Sequence, residues 1–125
     1  MMAPHQVLVV EDDVDIRECL MDFLADNGYE PVGAVHGQEA LQKLGGADVR
    51  PCMILLDLMM PVMDGRTFRE HQLQQPGLSQ IPVVIVSASR EAEQTAKDLN
   101  TAGHLPKPLN LKTLLQILRN LCVPD

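Results

Sequence analysis

Five short apolar runs alternate with five longer segments of helical periodicity, and few folds accommodate that order. The first run is Val7-Leu8-Val9-Val10, followed by a helix whose inner face is Ile16, Leu20, Phe23 and Leu24 and which Asn27-Gly28 stops. A weaker strand over residues 30–35 precedes a short helix over 38–44, closed by Gly45-Gly46. The most apolar run, Cys52 to Leu56, leads into Asp57. Asp64 is suited to cap a helix running to about Gln75, with Phe68 and Leu73 as its only large apolar residues. Pro82 opens a fourth run, 83–86, ending at Ser87, and a helix over 90–100 offers Ala92, Ala96 and Leu99 inward. A brief fifth strand over 104–106 precedes Lys107-Pro108, and Asn110 caps a last helix striped by Leu111, Leu114, Leu115, Leu118 and Leu121.

Strands that are apolar throughout and separated by helices predict a parallel sheet covered on both faces. Five such units are too few for an eight-fold barrel. The expected fold is α/β: a three-layer, doubly wound, five-stranded parallel sheet in a single domain spanning 1–125. The core must be aliphatic, because Phe23, Tyr29 and Phe68 are the only aromatics.

Ten Lys and Arg against seventeen Asp and Glu give a net charge of −7, which repels nucleic-acid phosphates, so no direct nucleic-acid binding is expected. Cys19, Cys52 and Cys122 are odd in number and lack the paired spacing of a zinc or disulfide framework, which predicts a reducing, cytoplasmic location. Residues 1–6 hold neither a basic stretch nor an apolar run, and no uninterrupted apolar stretch approaches a membrane span. Neither secretion nor membrane insertion is expected.

Ligands of open α/β sheets bind beyond the carboxyl ends of the strands, so function should lie in the residue after each strand. Those residues are Glu11 and Asp12, Asp57, Ser87 and Lys107. Taken singly, each has an ordinary explanation: a helix cap, a turn former or a solvated charge, with Asp13 the best cap candidate. Together they place three carboxylates, a hydroxyl and an amine on one rim. The crowded acids are unfavourable unless a cation binds or a carboxyl keeps its proton, and an oxygen-only donor set suits Mg²⁺, with Mn²⁺ as an alternative, rather than zinc. One such ion and the Lys107 ammonium bring the charge to zero, and the site can then admit a phosphoryl group. Asp57, ending the most apolar strand, is the best nucleophile and would form an acyl phosphate.

These residues carry a resemblance. The stretches Val7-Leu8-Val9-Val10-Glu11-Asp12-Asp13, Ile54-Leu55-Leu56-Asp57-Leu58-Met59-Met60-Pro61-Val62-Met63-Asp64-Gly65, Pro82-Val83-Val84-Ile85-Val86-Ser87-Ala88 and Lys107-Pro108 resemble the response-regulator receiver domains of two-component signalling, the CheY-like class. Asp12, Asp57, Ser87 and Lys107 stand 45, 30 and 20 residues apart. The resemblance implies the flavodoxin-like strand order 2-1-3-4-5. It makes Asp57 the phosphoacceptor and Glu11 with Asp12 the acidic metal pair, and adds the Met59 backbone carbonyl as a metal ligand. Ser87 and Lys107 would contact the phosphoryl group, and Lys107-Pro108 would be cis. Met59 and Ser89 would flank the path of hydrolytic water. His104 stands where the family often has a switching Tyr or Phe. The implied partners are a histidine kinase or histidine phosphotransfer domain and a downstream protein reading the face of helix 4, strand 5 and helix 5. The implied role is a phosphorelay switch, not a metabolic enzyme, that assists its own phosphorylation and slow dephosphorylation.

Glu11 replaces the commoner Asp, and Pro106 removes a backbone donor, which an edge strand tolerates. A competing reading is a Mg-dependent phosphohydrolase with an aspartate nucleophile, of the haloacid-dehalogenase type. That class resembles Asp-x-Asp after the first strand, whereas here the residue two beyond Asp57 is Met59. A flavin carrier would need a hydroxyl- and glycine-rich loop where this chain has acids. A calcium loop at Glu11–Asp15 fails because Ile16 occupies the turn glycine position.

Overall fold

The computed structural model describes residues 5–122. Most of the amino-terminal stretch read above for a leader, residues 1–4, lies outside the described residues. Five strands, β1 (Gln6–Val10), β2 (Glu30–Ala34), β3 (Pro51–Asp57), β4 (Val83–Ser87) and β5 (Gly103–Pro106), form one parallel sheet in the order β2-β1-β3-β4-β5. The helices are α1 (Val14–Asp26), α2 (Gly37–Leu44), α3 (Gly65–Leu73), α4 (Ala92–Asp98) and α5 (Leu111–Leu121). The expected fold class and strand order are both observed.

Side-chain alternation along the strands divides the core in two. Val7, Val9, Met53, Leu55, Val84 and Val86 pack under α1 and α5 with Leu20, Leu24, Leu114 and Leu118. Leu8, Val10, Ile54, Leu56, Val83 and Ile85 face α2, α3 and α4 with Ala40, Leu44, Phe68, Ala92 and Ala96. Four helix starts are fixed by side-chain caps: Asp13 accepts from the Asp15 and Ile16 N–H groups, His36 Nδ1 from Glu39 N–H, Asp64 from Thr67 N–H, and Asn110 from Lys112 and Thr113 N–H. Gly28, at φ 88°, supplies the left-handed residue after α1.

Both edge strands carry a proline. In β2, Glu30 N–H donates inward to the His5 carbonyl, so the nitrogen of Pro31 faces the open edge. Just beyond β5, Lys107 N–H donates inward to Ser87, so the nitrogen of Pro106 also faces outward. Neither proline therefore interrupts the ladder.

Four expectations need correction. Leu73 does not join the inner face of α3; it is exposed, and Arg69 and Gln72 are buried beside Phe68 instead. That helix ends at Leu73 and α4 begins at Ala92, both shorter than periodicity suggested. Of the α5 leucines, Leu114 and Leu118 are buried, but Leu111 and Leu121 lie on the outer side. Finally, Cys52 and Cys122 are joined in a disulfide, leaving Cys19 free and exposed. Their spacing of 70 residues conceals the pairing, but β3 starts at the amino edge of the sheet and α5, running back against the strands, ends there.

Candidate functional site

Parallel strands deliver all the strand-end residues to one edge. Asp57 is the last residue of β3 and Ser87 the last of β4, while Glu11 and Lys107 each follow a strand by one residue. The ladder continues into both: Glu11 N–H donates to the Ala34 carbonyl and Lys107 N–H to the Ser87 carbonyl, each at 3.0 Å. These bonds fix the backbones from which the side chains project. The Lys107-Pro108 bond is cis, as the resemblance implied.

Carboxylate oxygens of Glu11, Asp12 and Asp57 lie within 4.8 Å of one another. Glu11 and Asp57 are buried, whereas Asp12 is exposed at the mouth. The Lys107 ammonium lies 2.7 Å from Glu11 Oε1 and 3.5 Å from Asp57 Oδ2. Asp13 N–H donates to Glu11 Oε2 and Met59 N–H to Asp57 Oδ1, both at 3.2 Å. Arg17 donates to the Glu11 carbonyl at 2.8 Å, tying α1 to the rim, a contact that no sequence motif announces.

Burial pushes the Glu11 carboxyl up from 4.5 to about 7; Asp57 adds to the rise and the Lys107 hydrogen bond opposes it. Burial works against the Lys107 ammonium, but the Glu11 hydrogen bond and the neighbouring carboxylate charges outweigh it and raise its pKa. Three acids against one lysine favour a cation. The donor set is oxygen throughout, which fits a hard divalent ion.

The cluster opens into a cavity of about 240 Å³, which Met59, Ser87, Ala88 and Ser89 also line. Ser87 Oγ accepts from Ser89 N–H at 3.1 Å and keeps its own proton free to donate. Met59 is 74% exposed at the cavity mouth. His104 is not in this cavity. It stands opposite Ile85 on β5 and lines a separate cavity with Glu93, Ala96, Lys97 and Thr101. Its Nε2 is buried without a partner among the described residues.

Gly65 holds the turn after Asp57 together by close approach. A Cβ there would sit 2.4 Å from the Asp57 carbonyl oxygen and 2.9 Å from Leu58 Cα, both backbone atoms. Gly65→Ala is expected to destabilise the domain by about 1–3 kcal/mol and to shift the Asp57 amide resonance. A denaturant midpoint equal to wild type would refute the steric reading.

Fold and site together define a class: a flavodoxin-like α/β domain with a buried acidic cluster and a paired lysine at the carboxyl edge of the sheet. The sequence profile of the response regulator receiver domain matches residues 7–119. The chain belongs to that family. The response regulator MprA of Mycolicibacterium vanbaalenii is 36% identical over 120 residues, covering 94% of this chain and 50% of MprA. The phosphate regulon transcriptional regulatory protein PhoB of Escherichia coli is 35% identical over 113 residues, 89% of this chain and 48% of PhoB. The chain thus spans about half the length of these curated relatives. The structure of Vibrio cholerae chemotaxis protein CheY4 matches with a TM-score of 0.85 at 35% identity, over 95% of this chain and 99% of that one. Among the described residues no helix is long and apolar enough to cross a membrane.

Proposed function

We propose that residues 1–125 act as a single receiver domain, a phosphoacceptor switch in a two-component phosphorelay. Asp57 takes a phosphoryl group from a phosphohistidine on a histidine kinase or histidine phosphotransfer partner. The observation that carries this reading is the juxtaposition of Glu11, Asp12 and Asp57 with Lys107 at the carboxyl edge.

In the transfer, an Asp57 carboxylate oxygen bonds to phosphorus as the phosphorus–nitrogen bond breaks. The electron pair stays with the donor imidazole. Glu11, Asp12, Asp57 and the Met59 backbone carbonyl would hold Mg²⁺, or Mn²⁺ in its place. When bound, that ion offsets charge on the phosphoryl oxygens. Lys107 lies close enough to Asp57 to follow a new phosphoryl oxygen, and the Ser87 hydroxyl has a proton to donate to another. Inward movement of Ser87 would free space near β5, into which His104 would turn, altering the α4–β5–α5 face read by a downstream protein. The switch is a population shift driven by these differential contacts.

The role is a signalling switch, not a metabolic enzyme, with self-catalysed hydrolysis as its slow reset. A phosphohydrolase reading is not favoured: Met59, two residues beyond Asp57, offers no acid to a leaving group. The net charge of −7 favours protein partners over nucleic acid or membrane surfaces for this segment, and a cytoplasmic setting fits a phosphohistidine donor.

Incubation with acetyl phosphate and Mg²⁺ should raise the intact mass by one phosphoryl group, and Asp57→Asn should abolish the gain. Equal labelling of Asp57→Asn would overturn the assignment. Met59 and Ser89 would set the phosphate lifetime. Met59 is bulky and cannot orient water by a hydrogen bond, so Met59→Asn should speed loss of the label severalfold. An unchanged or slower rate would refute that steric account.

A further inference from the structure

The edge of the sheet opposite the acidic cluster carries chemistry that phosphoryl transfer does not use. Cys52 is the second residue of β3 and Cys122 the residue that ends α5. They are bonded, with Cα atoms 5.6 Å apart, a separation that a bridge spans without backbone movement. Cys52 Sγ also lies 3.2 Å from the Gln6 carbonyl oxygen. A disulfide sulfur has no proton, so this contact becomes a hydrogen bond only when Cys52 is a thiol. The same surroundings thus serve both oxidation states.

Access differs between the two sulfur-bearing residues. Cys122 is 1% exposed, whereas Cys52 is half-buried, so a small thiol or disulfide meets Cys52 first. Apart from the disulfide, the end of α5 is held by the Tyr29 hydroxyl, which donates to the Cys122 carbonyl at 3.0 Å, by the Cys122 N–H bond to Leu118, and by packing of Cys122 in the core that includes Tyr29 and Leu118. The neighbouring Leu121 lies outside the core.

We propose that Cys52 and Cys122 form a reversible thiol–disulfide site, with a low-molecular-weight disulfide as oxidant, whose bond clips the end of α5 to β3. In oxidation the Cys52 thiolate attacks the small disulfide and releases one small thiol, forming a mixed disulfide. The Cys122 thiolate then displaces the second. Two cysteine thiols and one small disulfide become the protein disulfide and two small thiols; reduction is the reverse exchange. The inference is independent of the phosphoryl-transfer reading, since it uses no residue of the acidic cluster.

The test equilibrates the purified full chain with glutathione at graded reduced-to-oxidised ratios, followed by acid quench, alkylation and intact-mass measurement. The expected count rises from one alkyl group, on Cys19, to three as the buffer becomes reducing. Three groups in the most oxidising buffer, or one in the most reducing, would overturn the proposal. Reduction should also speed amide exchange over residues 118–122 by about tenfold. It should lower the thermal midpoint by about 10 °C. Cys52→Ser and Cys122→Ser should each reproduce the reduced behaviour and lose the response to glutathione. Exchange in α5 that is the same in oxidised, reduced and variant proteins would refute the clip.

Discussion

Arg69→Ala is expected to destabilise the domain by about 3–4 kcal/mol, an effect comparable to that of a large core truncation. Arg69 projects from α3 and is 4% exposed. Its Nε donates to the Leu99 carbonyl at 3.1 Å, Nη2 to the Asn100 carbonyl at 2.8 Å and Nη1 to Gln72 Oε1 at 2.8 Å. Gln72 in turn donates to the Leu78 and Ile81 carbonyls. The guanidinium thus satisfies the carbonyls just beyond α4, where the helix dipole also favours positive charge. Burial pulls its pKa down but leaves it the donor that this cluster needs. Alanine would leave three acceptors without a donor and a void in the space the buried guanidinium fills. Lysine should recover only part of the loss, because one ammonium cannot reproduce the fork. Urea denaturation of wild type, Arg69→Ala and Arg69→Lys checks this; coincident midpoints would refute it.

Without metal, stability should fall as pH rises from about 5 to 9, by up to about 3 kcal/mol from Glu11 alone. The folded-state pKa of Glu11, about 7, lies above its ordinary value of 4.5, so the folded domain holds a proton that the unfolded chain has released. That contribution is complete below the unfolded value and is lost as pH rises through 7. The cause is the buried charge of Glu11 beside Asp57, which Lys107 offsets only in part. Glu11→Gln should flatten the decline, and the difference between the two proteins reports Glu11 together with the Asp57 and Lys107 groups coupled to it, apart from titrating groups elsewhere. Mg²⁺ should restore stability above pH 7 and bind more weakly below it, because protons compete for the same oxygens. Thermal melts at pH 5, 7 and 9, with and without Mg²⁺, give the measurement. A wild-type profile parallel to that of Glu11→Gln would overturn the assignment.

The candidate site was more legible in the sequence than the packing of two helices. Parallel topology sends every strand end to one edge, so Glu11, Asp57, Ser87 and Lys107 could be placed together from their positions alone. The caps Asp13, Asp64 and Asn110 were equally readable, because a cap acts within three residues. Local pattern fails where a polar group is buried by a distant partner. Arg69 and Gln72 look like solvent-facing residues until the carbonyls at Leu99 and Ile81 are in place. The leucine stripe of α5 misleads in the opposite direction, since Leu111 and Leu121 are the first and last residues of the helix and lie outside its packed middle. Nor does sequence spacing reveal a bond such as Cys52–Cys122, made only when the two ends of distant elements meet.

The prolines at the two borders of the sheet bear on crowding. A second molecule that lays an extended segment along β2 or β5 meets, at Pro31 or Pro106, a ring where a hydrogen-bond donor should be. Growth into fibres by successive strand addition is therefore disfavoured at both borders. Contact between crowded copies of this domain is thereby steered toward helices and loops, where it can be broken again.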